Sequence, residues 1–180
     1  MGKATSKMKS EAARLAVLRQ LNPKDTKEDW PFDALTALAA QMFGTPIAAL
    51  SFIDSDRQWF KSILGSNIKE TSRDVAFCNR TIEQQDVYVV TDATRDEEFA
   101  DNPLVTGSHS VRFYAGAPIW IEGHNVGALC VMDRRKKEIS DDQRSCLLIV
   151  ASIAARLLML ERDLQESNQK VAQLERSKAA

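Results

Sequence analysis

Few side chains in this sequence have the type and spacing to do chemistry. The three cysteines, Cys78, Cys130 and Cys146, stand far apart and form no C-x-x-C pair. A disulfide framework or a zinc knuckle calls for even numbers or close ligand spacing, so all three are read as free thiols that pack as small apolar residues. Cys78 is the one candidate nucleophile, because Asn79-Arg80 follows it and a neighbouring guanidinium can lower a thiol pKa. The two histidines, His109 and His124, are also isolated. His109 lies in Gly107-Ser108-His109-Ser110 and reads as a solvated loop residue, so neither a metal site nor a haem is expected.

Arg112 carries a planar fork that suits a carboxylate or phosphate. The competing reading pairs Arg112 and Arg73-Asp74 in ion pairs that tie a crossover to a sheet. Asp92, before Ala93-Thr94, reads as a turn or cap residue. Trp59, Phe77, Phe99, Phe113 and Tyr114 are candidates for a core or for the wall of a pocket. Arg134-Arg135-Lys136-Lys137 reads as a solvated basic loop.

The elements holding these residues can be read in turn. Ser10 to Leu21 is expected to be a helix ended by Asn22-Pro23, since a residue before proline is pushed out of the helical region. A second helix is expected from Pro31 to Phe43, with Leu35, Leu38, Ala39 and Met42 as its stripe and Gly44 as its stop. Ile47 to Ile53 reads as a buried strand and Arg57 to Leu64 as its hairpin partner, with Gln58 and Phe60 on one face and Trp59 and Lys61 on the other. Ser66 to Gln85 reads as a charged loop and a short helix, Tyr88 to Val90 as a short strand, and Asp92 to Ser110 as irregular. Val111 to Ile121 and Val126 to Met132 read as two strands joined by a turn in which Gly123 can take positive φ.

Ser140-x-x-Gln143 is a capping box. The helix that it opens should run to about Ser177 without a glycine or proline. Val150, Ile153, Leu157, Leu160, Leu164, Ser167, Val171 and Leu174 alternate along it by three and four, a heptad seam that points to a homodimer. Antiparallel strands flanked by helices make the class α+β.

With 180 residues, 24 basic and 25 acidic side chains and 44% hydrophobic residues, the chain has the size and composition of one globular domain. Its net charge of -1 leaves no electrostatic footprint for nucleic acid. No apolar run approaches the ~20 residues of a membrane span, and Met1 to Lys9 lacks the apolar stretch of a secretory signal. A cytoplasmic protein, with no nucleic-acid or membrane partner, is the expectation.

Phe43-Gly44-Thr45-Pro46-Ile47-Ala48, Ile53 through Ser62, Glu70-Thr71-Ser72-Arg73-Asp74, Phe77-Cys78, Val90-Thr91-Asp92-Ala93-Thr94, Phe99 through Pro103, Arg112 through Pro118 and Gly127-Ala128-Leu129-Cys130-Val131-Met132-Asp133 together resemble the GAF domain family. The set looks like the bacterial branch found at the front of sensor histidine kinases and diguanylate cyclases. The resemblance implies a GAF fold with a central five- or six-stranded antiparallel sheet, N- and C-terminal helices on one face and a ligand pocket on the other. The corresponding divisions are an N-terminal helix and linker over 1–29, the GAF domain over 30–160 and a coiled-coil signalling extension over 161–180. Trp59, Phe77, Cys78, Asp92, Phe99, Arg112 and Tyr114 are then the pocket candidates. Val150, Ile153, Leu157, Leu160, Leu164, Val171 and Leu174 are the dimer interface candidates.

The resemblance implies a small-molecule sensor with an unidentified ligand, working through dimeric helices on a downstream kinase or cyclase. Cofactors are not identified by it. A covalent bilin usually needs a cysteine followed by histidine, whereas Asn79 follows Cys78, so none is expected. The Asn, Lys, Phe, Asp-Glu constellation of cyclic-nucleotide-binding members is not found in order. Two other readings are a GAF module used only for dimerisation and a thiol-dependent enzyme like the free methionine-(R)-sulfoxide reductase. The local context of that reductase's cysteines is absent, and no catalytic constellation is recognised.

Overall fold

The computed structural model describes residues 2–21 and 30–178. Five α-helices and six strands follow in the order α1 (Gly2–Gln20), α2 (Trp30–Phe43), β1 (Ile47–Ile53), β2 (Arg57–Leu64), β3 (Glu70–Ser72), α3 (Cys78–Thr81), β4 (Tyr88–Val90), α4 (Pro103–Thr106), β5 (Phe113–Ile121), β6 (His124–Asp133) and α5 (Asp141–Lys178). The strands form one antiparallel sheet in the order β3-β2-β1-β6-β5-β4. The expected first helix is longer at its start than Ser10. Its expected stop at Asn22-Pro23 lies outside the described residues.

β1 is buried at every position, because both faces of the sheet are covered. Ala48, Leu50 and Phe52 face a core shared with α1, α2 and α5. Ala49 and Ile53 face a second core built from α3, α4 and the loops around them. The same alternation separates Leu129 and Val131 from Ala128 and Cys130 on β6. Period-two alternation therefore sorts each central strand between two cores.

The β5–β6 hairpin turns through Glu122 at φ 50° and Gly123 at φ 84°. Two successive positive φ values match the right-handed twist of the flanking strands, and glycine takes such a value at no steric cost. In the β1–β2 hairpin Asp54 N donates to Arg57 O at 2.8 Å. A bulge between Leu50 and Ser51 interrupts that pairing, so Ser51 faces Phe60 while Leu50 faces Ser62. Lys61 is the extra residue, and simple alternation along β2 fails beyond it. Ile63 thus joins Phe60 against the second core, and Ser62 turns to the helices, where its Oγ donates to Asp33 Oδ1 at 2.5 Å.

β3 falls in a segment expected to be a loop. Its residues are polar and partly exposed, and it exists by pairing Glu70, Thr71 and Ser72 with the edge of β2. On α2 the buried stripe is Phe32, Thr36, Ala39, Ala40 and Phe43, while Leu38 of the expected stripe is exposed.

α5 begins with the capping box: Ser140 N donates to Gln143 Oε1 and Gln143 N to Ser140 Oγ, both at 3.1 Å. Each bond occupies a backbone N–H that a helix start leaves unpaired. Leu147, Val150, Ala151, Ala154, Ala155 and Leu158 lie against the sheet. Val150 therefore leaves the expected dimer seam, because it is buried inside its own chain, and Leu157 is half-buried beside the same core. One stretch of α5 has a mean hydropathy of 1.5 and the length to cross a membrane, and part of that apolarity is spent on this sheet contact.

α1 is fastened by buried charge. Arg14 Nη1 donates to Ile53 O at 2.6 Å, and Arg14 also holds Glu11. Glu11 Oε1 accepts from Arg73 Nη1 at 2.6 Å, and Arg73 Nε donates to Asn79 Oδ1 at 2.8 Å. Hydrogen bonds from Arg14, and then from Arg73, hold the Glu11 carboxyl down at about 2 from an ordinary 4.5, against the opposing effect of burial. A depressed carboxyl pKa stabilises the fold above its unfolded value, and that contribution is lost as the pH falls toward the folded value. The stability lost between pH 4.5 and about 2 should accordingly be smaller in Glu11→Gln than in wild type. Urea midpoints measured across that window check this, and parallel curves would refute it.

Candidate functional site

On the sheet face away from α2 and α5, Phe77 stacks on Phe99 with ring centroids 4.0 Å apart, and on Tyr114 at 5.2 Å. Tyr88 packs at an angle to both Phe99 and Tyr114. Aromatic side chains placed this way form a rigid wall. Tyr114 is wholly buried, yet its hydroxyl is paired: it lies 2.6 Å from Thr81 Oγ1 and donates to Cys78 Sγ at 3.3 Å. Gly116 leaves the space that this hydroxyl occupies, since a Cβ there would collide with Tyr114 and Thr81. Cys78 Sγ lies 3.7 Å from Cys130 Sγ, and both thiols are buried.

Hydrogen bonding from Cys130 pulls the Cys78 thiol below its ordinary range, with Ser51 and Tyr114 adding to it against desolvation. The Cys130 thiol is pushed well up by the adjacent Cys78 and by burial. Burial, with the two thiols beside it, likewise raises the Tyr114 phenol.

Beside this cluster is a cavity of about 40 Å³, walled by Phe60, Ile63 and Met132 from the sheet, Phe77, Cys78 and Tyr114 from the aromatic cluster, Leu104 from α4, and Ile68 and His109 from the loops. That space holds a water molecule or two. Its polar side presents Gln58 and Thr71, which face one another across β2 and β3. Gln58 is 4% exposed, and its Oε1, like Thr71 Oγ1, is buried without a hydrogen-bond partner. Leaving a buried polar atom unpaired costs about 1–3 kcal/mol, so this cavity favours a donor-bearing occupant.

Of the seven candidates, the structure brings Phe77, Cys78 and Tyr114 to the cavity wall, with Phe99 stacked on Phe77 and outside the lining. It places the other three candidates elsewhere. Trp59 lies on the opposite sheet face, 4.8 Å from the Phe52 ring, because alternation along β2 turns it toward the helices. Arg112 donates to the carbonyls of Val105 and Val111 at 2.8 and 3.0 Å, so its guanidinium fastens a loop and does not line the cavity. Asp92 accepts from Thr94 N and Oγ1 in a turn, beside a separate open cleft of about 600 Å³ with Arg95, Asp96 and Lys136.

Sequence reasoning missed Gln58, Thr71 and His109 as lining residues, and it missed the partnership of Cys130 with Cys78. The alternation of β2 was a usable signal for Gln58. Thr71 depended on the unrecognised strand β3, and the thiol pair on a contact between distant elements.

Comparison with known proteins bears on this site. A GAF domain family model matches residues 31–158. A cyclic di-GMP phosphodiesterase from Pseudomonas aeruginosa is 43% identical over 128 residues, which is 71% of this chain and 22% of that protein. The chain thus spans about a fifth of the length of this curated relative. Among solved structures, the GAF domain of a phosphoenolpyruvate-protein phosphotransferase from Coxiella burnetii superposes with a TM-score of 0.65 at 12% identity, over 87% of this chain and 97% of that one. A free methionine-R-sulfoxide reductase from Neisseria meningitidis, solved with its substrate, superposes with a TM-score of 0.63 at 15% identity, over 91% of this chain and 95% of that one. These two structures share the fold.

The close approach at Gly116 can be tested directly. Gly116→Ala should force Tyr114 and Thr81 apart and lower stability by about 1–3 kcal/mol, the usual cost of an overpacked core. Urea unfolding measures the loss, and an unchanged midpoint together with an unchanged near-ultraviolet tyrosine spectrum would contradict it.

Proposed function

Because the chain belongs to the GAF domain family, we propose that it is the regulatory segment of a bacterial signalling protein and that it responds to a small molecule held beside Phe77 and Tyr114. The observation that carries this reading is the cavity with two buried, unpaired polar atoms, Gln58 Oε1 and Thr71 Oγ1. A ligand with hydrogen-bond donors at one end and an apolar body would complete both. Small-molecule sites usually measure ~300–1,000 Å³, so binding needs the wall around Ile68, Leu104 and His109 to move outward. The ligand then favours the open arrangement by its differential affinity for the two states.

Two connections run from this wall to the terminal helices. Phe60 lines the cavity, while the next residue, Lys61, reaches Glu161 of α5 at 3.4 Å and lies over the Phe32 ring of α2. Asn79, next to Cys78, holds Arg73, which holds Glu11 of α1. Movement of the pocket wall would therefore be felt by α1, α2 and α5. The relative that is named a cyclic di-GMP phosphodiesterase supports an output enzyme in cyclic-dinucleotide signalling, with a kinase or cyclase as the other outputs of such sensors. The chain's own role in this reading is regulatory and cytoplasmic.

Dimerisation is the second part of the proposal. Ile149, Ile153, Leu160, Leu164, Val171 and Leu174 form one exposed apolar stripe on α5, which begins at Ile149 in place of Val150. A second copy packed along this stripe would bury it as a coiled-coil seam. A GAF module used only for dimerisation is favoured by one observation, the small size of the cavity.

Native mass spectrometry of the purified chain, compared with the denatured sample, separates the readings. The sensor reading expects a dimer carrying an extra non-covalent mass, with that mass lost in Gln58→Leu. A dimer without extra mass, and without thermal stabilisation by any member of a metabolite and nucleotide panel, overturns it in favour of the module. Leu160→Glu with Leu164→Glu, both at exposed positions, should convert the dimer to a folded monomer by light scattering. An unchanged dimeric mass would remove α5 from the interface.

A further inference from the structure

We propose that Cys78 and Cys130 form a peroxide-reactive dithiol site that closes into an intramolecular disulfide. The geometry assigns each sulfur a part. Cys78 is in the cavity wall, while Cys130 lies behind it on β6, 3.7 Å away. In this closed arrangement the cavity of about 40 Å³ accepts hydrogen peroxide, a molecule near the size of water, and excludes a tripeptide disulfide. Tyr114 donates to Cys78 Sγ at 3.3 Å, which favours the thiolate that attacks. The sulfurs need approach by only about 1.7 Å to reach the ~2.05 Å of an S–S bond.

The chemistry balances in two steps. The Cys78 sulfur attacks one peroxide oxygen, the O–O bond breaks, and the departing hydroxide takes up the thiol proton as water, leaving Cys78 as a sulfenic acid. The Cys130 sulfur then attacks Cys78, the S–O bond breaks, and the second hydroxide leaves with the Cys130 proton as water. Two thiols lose two electrons and two protons, and one peroxide becomes two waters. A dithiol reductant resets the pair. The new bond would tie α3 to β6 directly beneath Tyr114. This reading is independent of a bound ligand and of dimerisation.

The test uses the reduced full chain, treated with stoichiometric hydrogen peroxide, alkylated, digested with trypsin and weighed. Cleavage at the flanking arginines puts Cys78 in residues 74–80 and Cys130 in residues 113–134. The expected product is these two peptides joined, with Cys146 of the half-exposed α5 position still alkylated. In Cys130→Ala the reaction should stop at a Cys78 sulfenic acid, which a cyclic 1,3-dione captures, and in Cys78→Ala Cys130 should stay reduced. The wild-type measurement needs no variant to fold. Joined peptides support the proposal. Alkylatable Cys78 and Cys130 alongside an oxidised Cys146, or Cys78 joined to a second chain, overturn it.

Discussion

The pairing of β1 with β6 is the contact on which the rest of the molecule depends. It joins Ile47 to Met132 and Phe52 to Gly127, bringing the first strand against the last. Until it forms, neither α2 and α5 nor the α3 and α4 loops have a surface to cover. Once formed, it creates two surfaces at once, because successive residues point to opposite faces. Leu129 and Val131 are claimed by the helices, and Ala128 and Cys130 by the pocket side. Gly127 lets β1 come close, since a Cβ there would collide with the Ser51 backbone. The pairing is non-local, so the entropy of closing a long stretch of chain must be met before either core exists.

The two cores are unlike in chemistry. The helix side is filled with aliphatic side chains and Phe32, Phe43, Phe52 and Phe113. The other side mixes stacked rings with thiols and hydroxyls, among them a Tyr114 hydroxyl held between Thr81 and Cys78. A packed apolar core gains little from polar atoms, whereas a recognition surface needs a few at fixed positions. The fold therefore sets a mainly apolar core on one face of the sheet and a core that carries thiols and hydroxyls on the other.

Much of this was legible from residue order. β1, β2 and β4 have the bounds that their apolar runs and turns suggested, and the Ser140–Gln143 capping box marks the start of α5. The aromatic wall of Phe77, Phe99 and Tyr114 was readable from residue type with the family resemblance. What escaped was set by relations between strands. The Leu50/Ser51 bulge is a property of two strands in register and leaves no mark in either alone. β3 is too short and polar for a periodic signal. Arg112 resembled an anion receptor because its chemistry permits that role, yet nearby carbonyls hold its guanidinium. Val150 fitted the heptad as well as Ile153 did, and only the sheet decides which of them turns inward.

The burial of α5 ends at Leu158, while the helix continues to Lys178. At 1.5 Å per residue it runs roughly 30 Å beyond its last buried contact, tied near the start of that stretch by the ion pairs of Glu161 with Lys61 and Arg162 with Glu122. It is a cantilever clamped at one end. A tilt of about 5° at the clamp would swing the free tip by about 2.6 Å over that length. Lys61 of β2 pairs with Glu161 just past the clamp, so a displacement of β2 that tilted the helix there would be enlarged at the tip. The long helix thereby exchanges force for displacement.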